Sequence, residues 1–267
     1  MTLTPDVSRL IAVRTGPDTL ISVNPDEPPQ LVTASLPYEP LNVAVTSTGK
    51  AFIMVTGDVL PSGAIEFDLA TMTYTFRNDN GGNLVGRFAA TPDGNEMAVA
   101  VVDGESSSVS VWNRSNDSFL SQSFPGIFWS DIAISSDGTK IAAIWPGTFG
   151  AIAYILDEQL HWLDTAVYPD LGYPNAPESV GASFSPSGNT LIIPTQDSTE
   201  FFDANTGHLK DRLMTPEYLP GIAAPTTSSA NMAIDQTAQT IFAISVSGLT
   251  IMKLPATADQ LTPGVWQ

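Results

Sequence analysis

A sequence pattern that recurs about every 46 residues constrains the possible folds of this chain more than any other feature. In each repeat, alternating hydrophobic residues lead into a short polar turn, and an almost purely apolar run follows. The turns are Thr4-Pro5-Asp6, Ser47-Thr48-Gly49, Thr91-Pro92-Asp93-Gly94, Ser136-Asp137-Gly138, Ser185-Pro186-Ser187-Gly188 and Asp235-Gln236-Thr237. The steps between them are 42, 45, 44, 50 and 50 residues, counted from Pro5 through Ser47, Pro92, Ser136, Pro186 and Gln236. Such a period indicates six copies of one supersecondary unit.

A second set of positions advances with the same period. In each unit an alternating segment follows the apolar run and ends at Asn24, Asp68, Asn113, Asp157, Asp203 or Lys253. Asn and Asp suit the end of a strand because their side chains cap turns and tolerate left-handed backbone. Two sets of positions that advance together indicate real repeats.

Each unit is predicted to contain four strands, a to d. The b strands are the apolar runs Leu10–Val13, Phe52–Val55, Met97–Val102, Ile141–Ile144, Leu191–Ile193 and Ile241–Ile244. A strand that is apolar on both faces must be covered on both faces, and a sheet between two neighbouring sheets provides that environment. Because no segment has a helical stripe with caps, we predict an all-β fold, a β-propeller of six four-stranded antiparallel blades. Residues 1–267 then form one domain, with blade boundaries near 37, 80, 126, 175 and 225.

Two of the turns carry a resemblance to a known family. Thr91-Pro92-Asp93-Gly94 and Ser185-Pro186-Ser187-Gly188 resemble the Ser-Pro-Asp-Gly turn of the YVTN and WD-repeat-like bacterial propellers. The resemblance covers nearly the whole chain and implies the fold but not the function, because such propellers serve many functions. The Trp-Asp signature of true WD repeats is missing, and Val111-Trp112-Asn113 is its nearest counterpart.

The two ends of the chain bear on the number of blades. Met1-Thr2-Leu3 aligns with Phe88-Ala89-Ala90 at the end of a strand a, so the first inner strand is expected to be incomplete. We therefore expect a propeller excised from a longer protein, whose full ring has six or seven blades. The alternative is a natural six-bladed ring with a short first strand.

Composition restricts the classes of partner. The chain has 28 acidic and 10 basic residues and a net charge of −18, which disfavours nucleic acid and anionic membrane surfaces. It has no cysteine and no apolar stretch long enough to cross a membrane. We expect a monomer at the cell surface, in the periplasm or outside the cell.

Candidate catalytic residues are few. The two histidines, His161 and His208, fall in or near c–d turns and are predicted to be exposed turn residues rather than catalytic ones. Asn78–Asn83 superficially resembles a calcium loop but lacks its spacing, so no metal and no cofactor are predicted. The polar residues of the inner strands are Asn42, Arg87, Asp131, Ser183 and Asn231. Arg87 and Asp131 are predicted to meet, as a structural ion pair or as solvated channel lining.

Aromatic residues gather in the b–c and d–a loops, which share one end of a propeller. They are Tyr38, Phe128, Trp129, Trp145, Phe149, Tyr168, Tyr173 and Tyr218. Trp145 directly follows an apolar run and is predicted to pack. The d–a connections 168–179 and 215–230 are the longest and are rich in proline, so they can be long and still ordered. We predict that Trp129, Tyr168, Tyr173 and Tyr218 line a groove that binds a glycan or an extended peptide.

These features favour a non-catalytic binding or surface module of a larger, exported bacterial protein. The first alternative is a small-molecule hydrolase at the central channel, because some YVTN-type relatives resemble lactonases. The second alternative is a structural spacer between adhesion domains.

Overall fold

The computed structural model describes residues 2–4, 8–24, 30–56, 63–77, 86–103, 106–116, 118–125, 129, 131–145, 151–167, 181–219, 232–235 and 237–262. Within these ranges the chain is all-β, with one short 3₁₀ turn at Ala258–Gln260. No helix in this part of the protein is long and apolar enough to cross a membrane. The prediction of an all-β chain is confirmed.

The strands form antiparallel sheets, each built from strands that are consecutive in sequence and hydrogen-bonded in that order. Sheet 1 comprises β1 (Thr2–Leu3), β2 (Leu10–Arg14), β3 (Thr19–Asn24) and β4 (Gln30–Ser35). Sheet 2 comprises β5 (Glu39–Val45), β6 (Lys50–Thr56), β7 (Gly63–Asp68) and β8 (Thr73–Arg77). Sheet 3 comprises β9 (Gly86–Ala90), β10 (Glu96–Asp103), β11 (Ser106–Asn113) and β12 (Ser118–Pro125).

The second half of the chain repeats the arrangement. Sheet 4 comprises β13 (Asp131–Ile134), β14 (Lys140–Ile144), β15 (Ala151–Asp157) and β16 (Trp162–Val167). Sheet 5 comprises β17 (Ser183–Phe184), β18 (Thr190–Pro194), β19 (Ser198–Asp203) and β20 (Leu209–Met214). Sheet 6 has three described strands, β21 (Met232–Ile234), β22 (Thr240–Ser245) and β23 (Gly248–Lys253).

The second strand of each inner sheet is apolar on both faces because it supplies two cores. In β6, Phe52 and Met54 enter the core between sheets 2 and 3, whereas Ile53 and its alternating neighbours enter the core between sheets 1 and 2. In β14, Ile141 and Ile144 likewise belong to different cores. The prediction that these strands are covered on both faces is confirmed.

Packing joins the sheets in sequence order. The described residues form five hydrophobic cores, one between each pair of successive sheets. The first strands β5, β9, β13, β17 and β21 are neighbours in that order, and β1 lies beside β5. In the described part of the chain, no hydrophobic core joins sheet 6 to sheet 1.

The third strands end where the sequence predicts. Asp68 ends β7, and its Oδ1 accepts the backbone N–H groups of Ala70 and Thr71, both at 2.9 Å. Asp203 ends β19 and caps the next turn in the same way, through Asn205 at 2.9 Å. Because strands within a sheet are antiparallel, the turns between first and second strands and between third and fourth strands share one end of the sheets. We call this the turn end. The other end, which carries the turns between second and third strands and the connections between sheets, is the connection end.

Candidate functional site

Three first strands carry a buried polar side chain at corresponding positions. They are Asn42 on β5, Arg87 on β9 and Asp131 on β13. The Asn42 Nδ2 donates a hydrogen bond to the carbonyl oxygen of Phe88 in the next sheet, at 3.4 Å. The Asp131 carboxylate accepts the backbone N–H of Ala182, which precedes the first strand of sheet 5. These side chains therefore connect one sheet to the following sheet.

Arg87 and Asp131 interact electrostatically across sheets 3 and 4. Burial raises the pKa of Asp131 to about 6, against the lowering effects of the Arg87 charge and of the N–H groups of Ile132 and Ala182. Burial also lowers the pKa of Arg87, and the charge of Asp131 opposes that shift. Their charges therefore influence each other, and a direct contact between the two side chains stays a prediction. Each is only 4% exposed, so both charges are buried and do not form a solvated lining.

The remaining inner-strand candidates add little to this pair. Ser183 is half-buried, and its Oγ donates to the carbonyl oxygen of Phe184. Asn231 lies outside the described residues. A perturbed carboxyl pKa is common at functional sites, but structural ion pairs shift pKa values in the same way.

Trp129 lies in the core between sheets 3 and 4. Its ring is only 2% exposed and makes edge-to-face contacts with Phe124 and Tyr154, with ring centroids 5.2 and 5.6 Å apart. A ring enclosed in this way has no face left for a surface ligand. The structure therefore places Trp129 in the core and not in the predicted groove.

Tyr218 is half-exposed, at 50%, and lies at the connection end. Its segment is held between the turns of sheets 5 and 6. The Leu219 N–H donates to the carbonyl oxygen of Gln196 at 2.8 Å, and the Val246 N–H donates to the carbonyl oxygen of Tyr218 at 3.3 Å. The Leu219 side chain is buried beneath it in the core between sheets 5 and 6. The backbone is therefore fixed while the Tyr218 ring faces solvent.

The residue before Tyr218 carries a carboxylate that is held by hydrogen bonds. The Glu217 Oε2 accepts hydrogen bonds from the Ser247 Oγ and from the Ser245 Oγ, the latter at 2.8 Å, and these bonds lower the pKa of Glu217. Val246, between the two serines, is exposed. We call Glu217, Tyr218, Ser245, Val246 and Ser247 the Tyr218 patch. Glu217 is not among the predicted site residues, although its position next to an aromatic residue in a long proline-rich connection is a signal that the sequence contains.

The other aromatic candidates divide between packing residues and undescribed ones. Trp145 packs against Tyr154 as predicted, and Tyr38 packs against Phe76 with ring centroids 5.2 Å apart. Tyr168, Tyr173, Phe128, Phe149 and the loop Asn78–Asn83 lie outside the described residues. A groove that unites Tyr168 and Tyr173 with Tyr218 stays a prediction.

Both histidines lie at the turn end, opposite the Tyr218 patch. His161 is exposed, with its Nδ1 3.1 Å from the Asp157 Oδ2, and His208 is exposed in the equivalent turn of sheet 5. Their predicted positions are confirmed. Among the described residues, no group of three or more His, Asp or Glu side chains is arranged to hold a metal ion.

The fold has counterparts among solved structures. A functionally unknown protein from Desulfotomaculum acetoxidans matches 96% of this chain over 82% of its own length, with a TM-score of 0.71 and 17% identity. Hydrazine synthase from Kuenenia stuttgartiensis matches 95% of this chain over 82% of its own length, with a TM-score of 0.68 and 14% identity. No protein-family model and no curated protein matches the chain. At these identities the likeness concerns the fold alone.

Proposed function

We propose that the six sheets are blades of a β-propeller and that the chain is a binding module whose ligand contacts the connection end. The consecutive order of the first strands and the core between each successive pair of sheets support the propeller arrangement. The family resemblance of the turns agrees with it. The ligand is a glycan or an extended peptide, and the module acts without catalysis in a larger, exported bacterial protein.

The Tyr218 patch carries this proposal. A half-exposed aromatic ring gives a sugar ring or an apolar peptide side chain a flat, rigid contact surface with a polar edge. The Glu217 carboxylate, whose pKa is lowered by its serine partners, is ionised at neutral pH and can accept hydrogen bonds from sugar hydroxyls or peptide N–H groups. Because the backbone of this segment is already ordered, little conformational entropy is lost on binding.

A hydrolase at the inner strands is the second candidate function. The observation in its favour is the Asp131 pKa of about 6, which lies in the range that suits a general base at neutral pH. The burial of Asp131 counts against it, because a substrate must reach the carboxylate. The spacer function would apply if the connection end had no ligand.

Binding measurements on the whole chain test the proposal. Glycan and peptide arrays identify a ligand, and titration calorimetry with that ligand compares the native protein with Tyr218→Ala. We expect at least about a tenfold loss of affinity, the loss of roughly 1.4 kcal/mol typical of a well-placed contact residue. The melting temperature should stay unchanged, because the ring is already half-exposed.

Tyr74→Ala is the matched control. Tyr74 is similarly exposed, at 46%, but lies on the outer strand β8 of sheet 2. It should bind as the native protein does. Equal affinities for Tyr218→Ala and the native protein, or no ligand on either array, would refute the proposal.

A further inference from the structure

Within the described part of the chain, sheets 1 and 6, the first and last of the six, each have an apolar face that belongs to none of the five cores. Across sheet 1, Leu10, Val23 and Leu31 are paired in register on one face, beside Ala12 and Ile21. The opposite face, with Ile11 and Leu20, belongs to the core with sheet 2. We call Leu10, Ala12, Ile21, Val23 and Leu31 the sheet 1 end face.

Sheet 6 has the complementary feature. Phe242 on β22 pairs in register with Ile251 on β23, on the face that points away from sheet 5. Leu249 lies on the same face as Ile251, two residues away. We call Phe242, Leu249 and Ile251 the sheet 6 end face. Leu249 and Ile251 are 61% and 54% exposed, and Leu31 on sheet 1 is 66% exposed. The remaining members of the two faces, Leu10, Ala12, Ile21, Val23 and Phe242, are half-buried.

The inner sheets show what normally covers such faces. In sheet 5, Phe201 and Phe202 are neighbours on the third strand, and each is buried in a different core, formed with sheets 6 and 4 respectively. Between any two successive sheets, the apolar face of one is covered by the next sheet, which is another copy of the same four-stranded repeat. The two end faces, which belong to none of these cores and are only partly buried, therefore fit one more sheet of this kind.

The size of the solved structures supports the same occupant. About 255 residues of this chain match each of them and cover 82% of it, so about 55 residues of each have no counterpart here. That length is close to one repeat of the present chain. A second copy of this chain is a poorer occupant, since each copy carries a net charge of −18 and the two would repel.

We propose that the two end faces form a docking surface for one further four-stranded repeat unit of about 45–50 residues, apolar on both faces. This inference rests on the propeller arrangement proposed above, but not on the Tyr218 patch. Each end face carries an exposed cation, Arg14 on sheet 1 and Lys253 on sheet 6. The unit that fits therefore carries acidic residues opposite these two cations.

The test supplies such a unit by fusion and, in a separate variant, disrupts the sheet 6 end face that should bind it. A copy of the chain's own third repeat, residues 81–126, is fused after residue 267, and thermal unfolding is compared with that of the native chain. Covering large side chains such as Leu31, Leu249 and Ile251 should raise the melting temperature by roughly 5–10 °C. Ile251→Lys should abolish this gain in the fusion but leave the melting temperature of the unfused chain unchanged, because Ile251 is already exposed there. Leu120→Lys is the control, because Leu120 is a comparably exposed apolar residue on the fourth strand of sheet 3, and it should keep the gain.

A dye measurement keeps the inference testable if the fusion does not fold. The native chain should bind an apolar fluorescent dye, and Ile251→Lys should weaken that binding while Leu120→Lys does not. The inference is wrong if neither the fusion nor the dye responds to Ile251→Lys. It is also wrong if the unfused chain forms dimers that Ile251→Lys dissociates, since the occupant is then a second copy.

A small-angle scattering profile that does not fit a ring of sheets would instead overturn the propeller arrangement. Failed docking together with intact Tyr218-dependent binding would overturn this inference but leave the proposed function standing.

Discussion

Replacing Asp131 by Asn should change how the stability of this protein depends on pH. The pKa of Asp131 is raised from its ordinary value of 3.8 to about 6, chiefly by burial. The folded state therefore holds a proton on Asp131 more tightly than the unfolded state does. The stability that this proton contributes is fully present below pH 3.8 and is lost as the pH rises through 6. A shift of this size corresponds to about 3 kcal/mol, at about 1.4 kcal/mol per pKa unit.

Urea unfolding between pH 4.5 and 7.5, followed by tryptophan fluorescence, measures this effect. Across the lower part of that range, the free energy of unfolding of the native protein should fall by about 1.4 kcal/mol per pH unit relative to that of Asp131→Asn. Other carboxyls such as Asp93 and Asp203 have lowered pKa values. Their contributions are lost only when the pH falls below the ordinary carboxyl range. Burial raises the pKa of Glu96, but that contribution is common to both proteins and cancels in the difference.

Two further variants sharpen the test. Glu39→Gln changes an exposed carboxyl on β5 and should leave the pH profile of the native protein unaltered. Arg87→Met removes the charge that lowers the Asp131 pKa, so the same transition should move to higher pH. Parallel profiles for the native protein and Asp131→Asn would refute the assignment of this pH dependence to the buried pair.

Two stability predictions concern positions that the fold constrains closely. Gly207 has a φ of +64°, and a Cβ there would collide with the Thr165 carbonyl, whereas Gly49 has a φ of +75° and open space around it. Gly49→Ala should cost about 1 kcal/mol for its backbone conformation, and Gly207→Ala measurably more. Equal urea midpoints for the two variants would contradict this. Trp129→Ala should cost about 3–5 kcal/mol in urea unfolding, because it empties a site in the core between sheets 3 and 4, and a loss below about 1 kcal/mol would contradict the packing described here.

The sheets were predictable from the sequence because their signals are local. An Asp at the end of a third strand accepts N–H groups two or three residues further on, as Asp68 does, so the sequence itself contains both partners of the interaction. The second strands were equally predictable, because an unbroken apolar run indicates a strand that is buried on both faces. The hydrogen bonds that join Asn42 and Asp131 to the next sheet could not be predicted, since their partners are backbone groups of another repeat unit.

The exposure of aromatic residues was the least predictable feature. Trp129 and Tyr218 both lie four residues beyond the end of a fourth strand, at Pro125 and Met214 respectively. One ring is buried and the other half-exposed. Their own residue types and near neighbours do not separate them, because the packing partners come from other strands.

The different exposure of Trp129 and Tyr218 follows from the lengths of the connections in which they lie. After β12, residues 126–130 lead directly into β13, and so short a connection carries Trp129 down between two sheets. After β20, residues 215–231 precede β21, and this longer connection fixes its backbone at Leu219 while the Tyr218 ring stays at the surface. Long connections on a rigid scaffold are where binding residues are placed without cost to the core. Residues 168–182 form the other connection of this length, so Tyr168 and Tyr173 remain the residues to test beside Tyr218. Alanine at either position should weaken ligand binding without the loss of stability expected for Trp129→Ala, and a loss of stability as large as that one would assign them to packing instead.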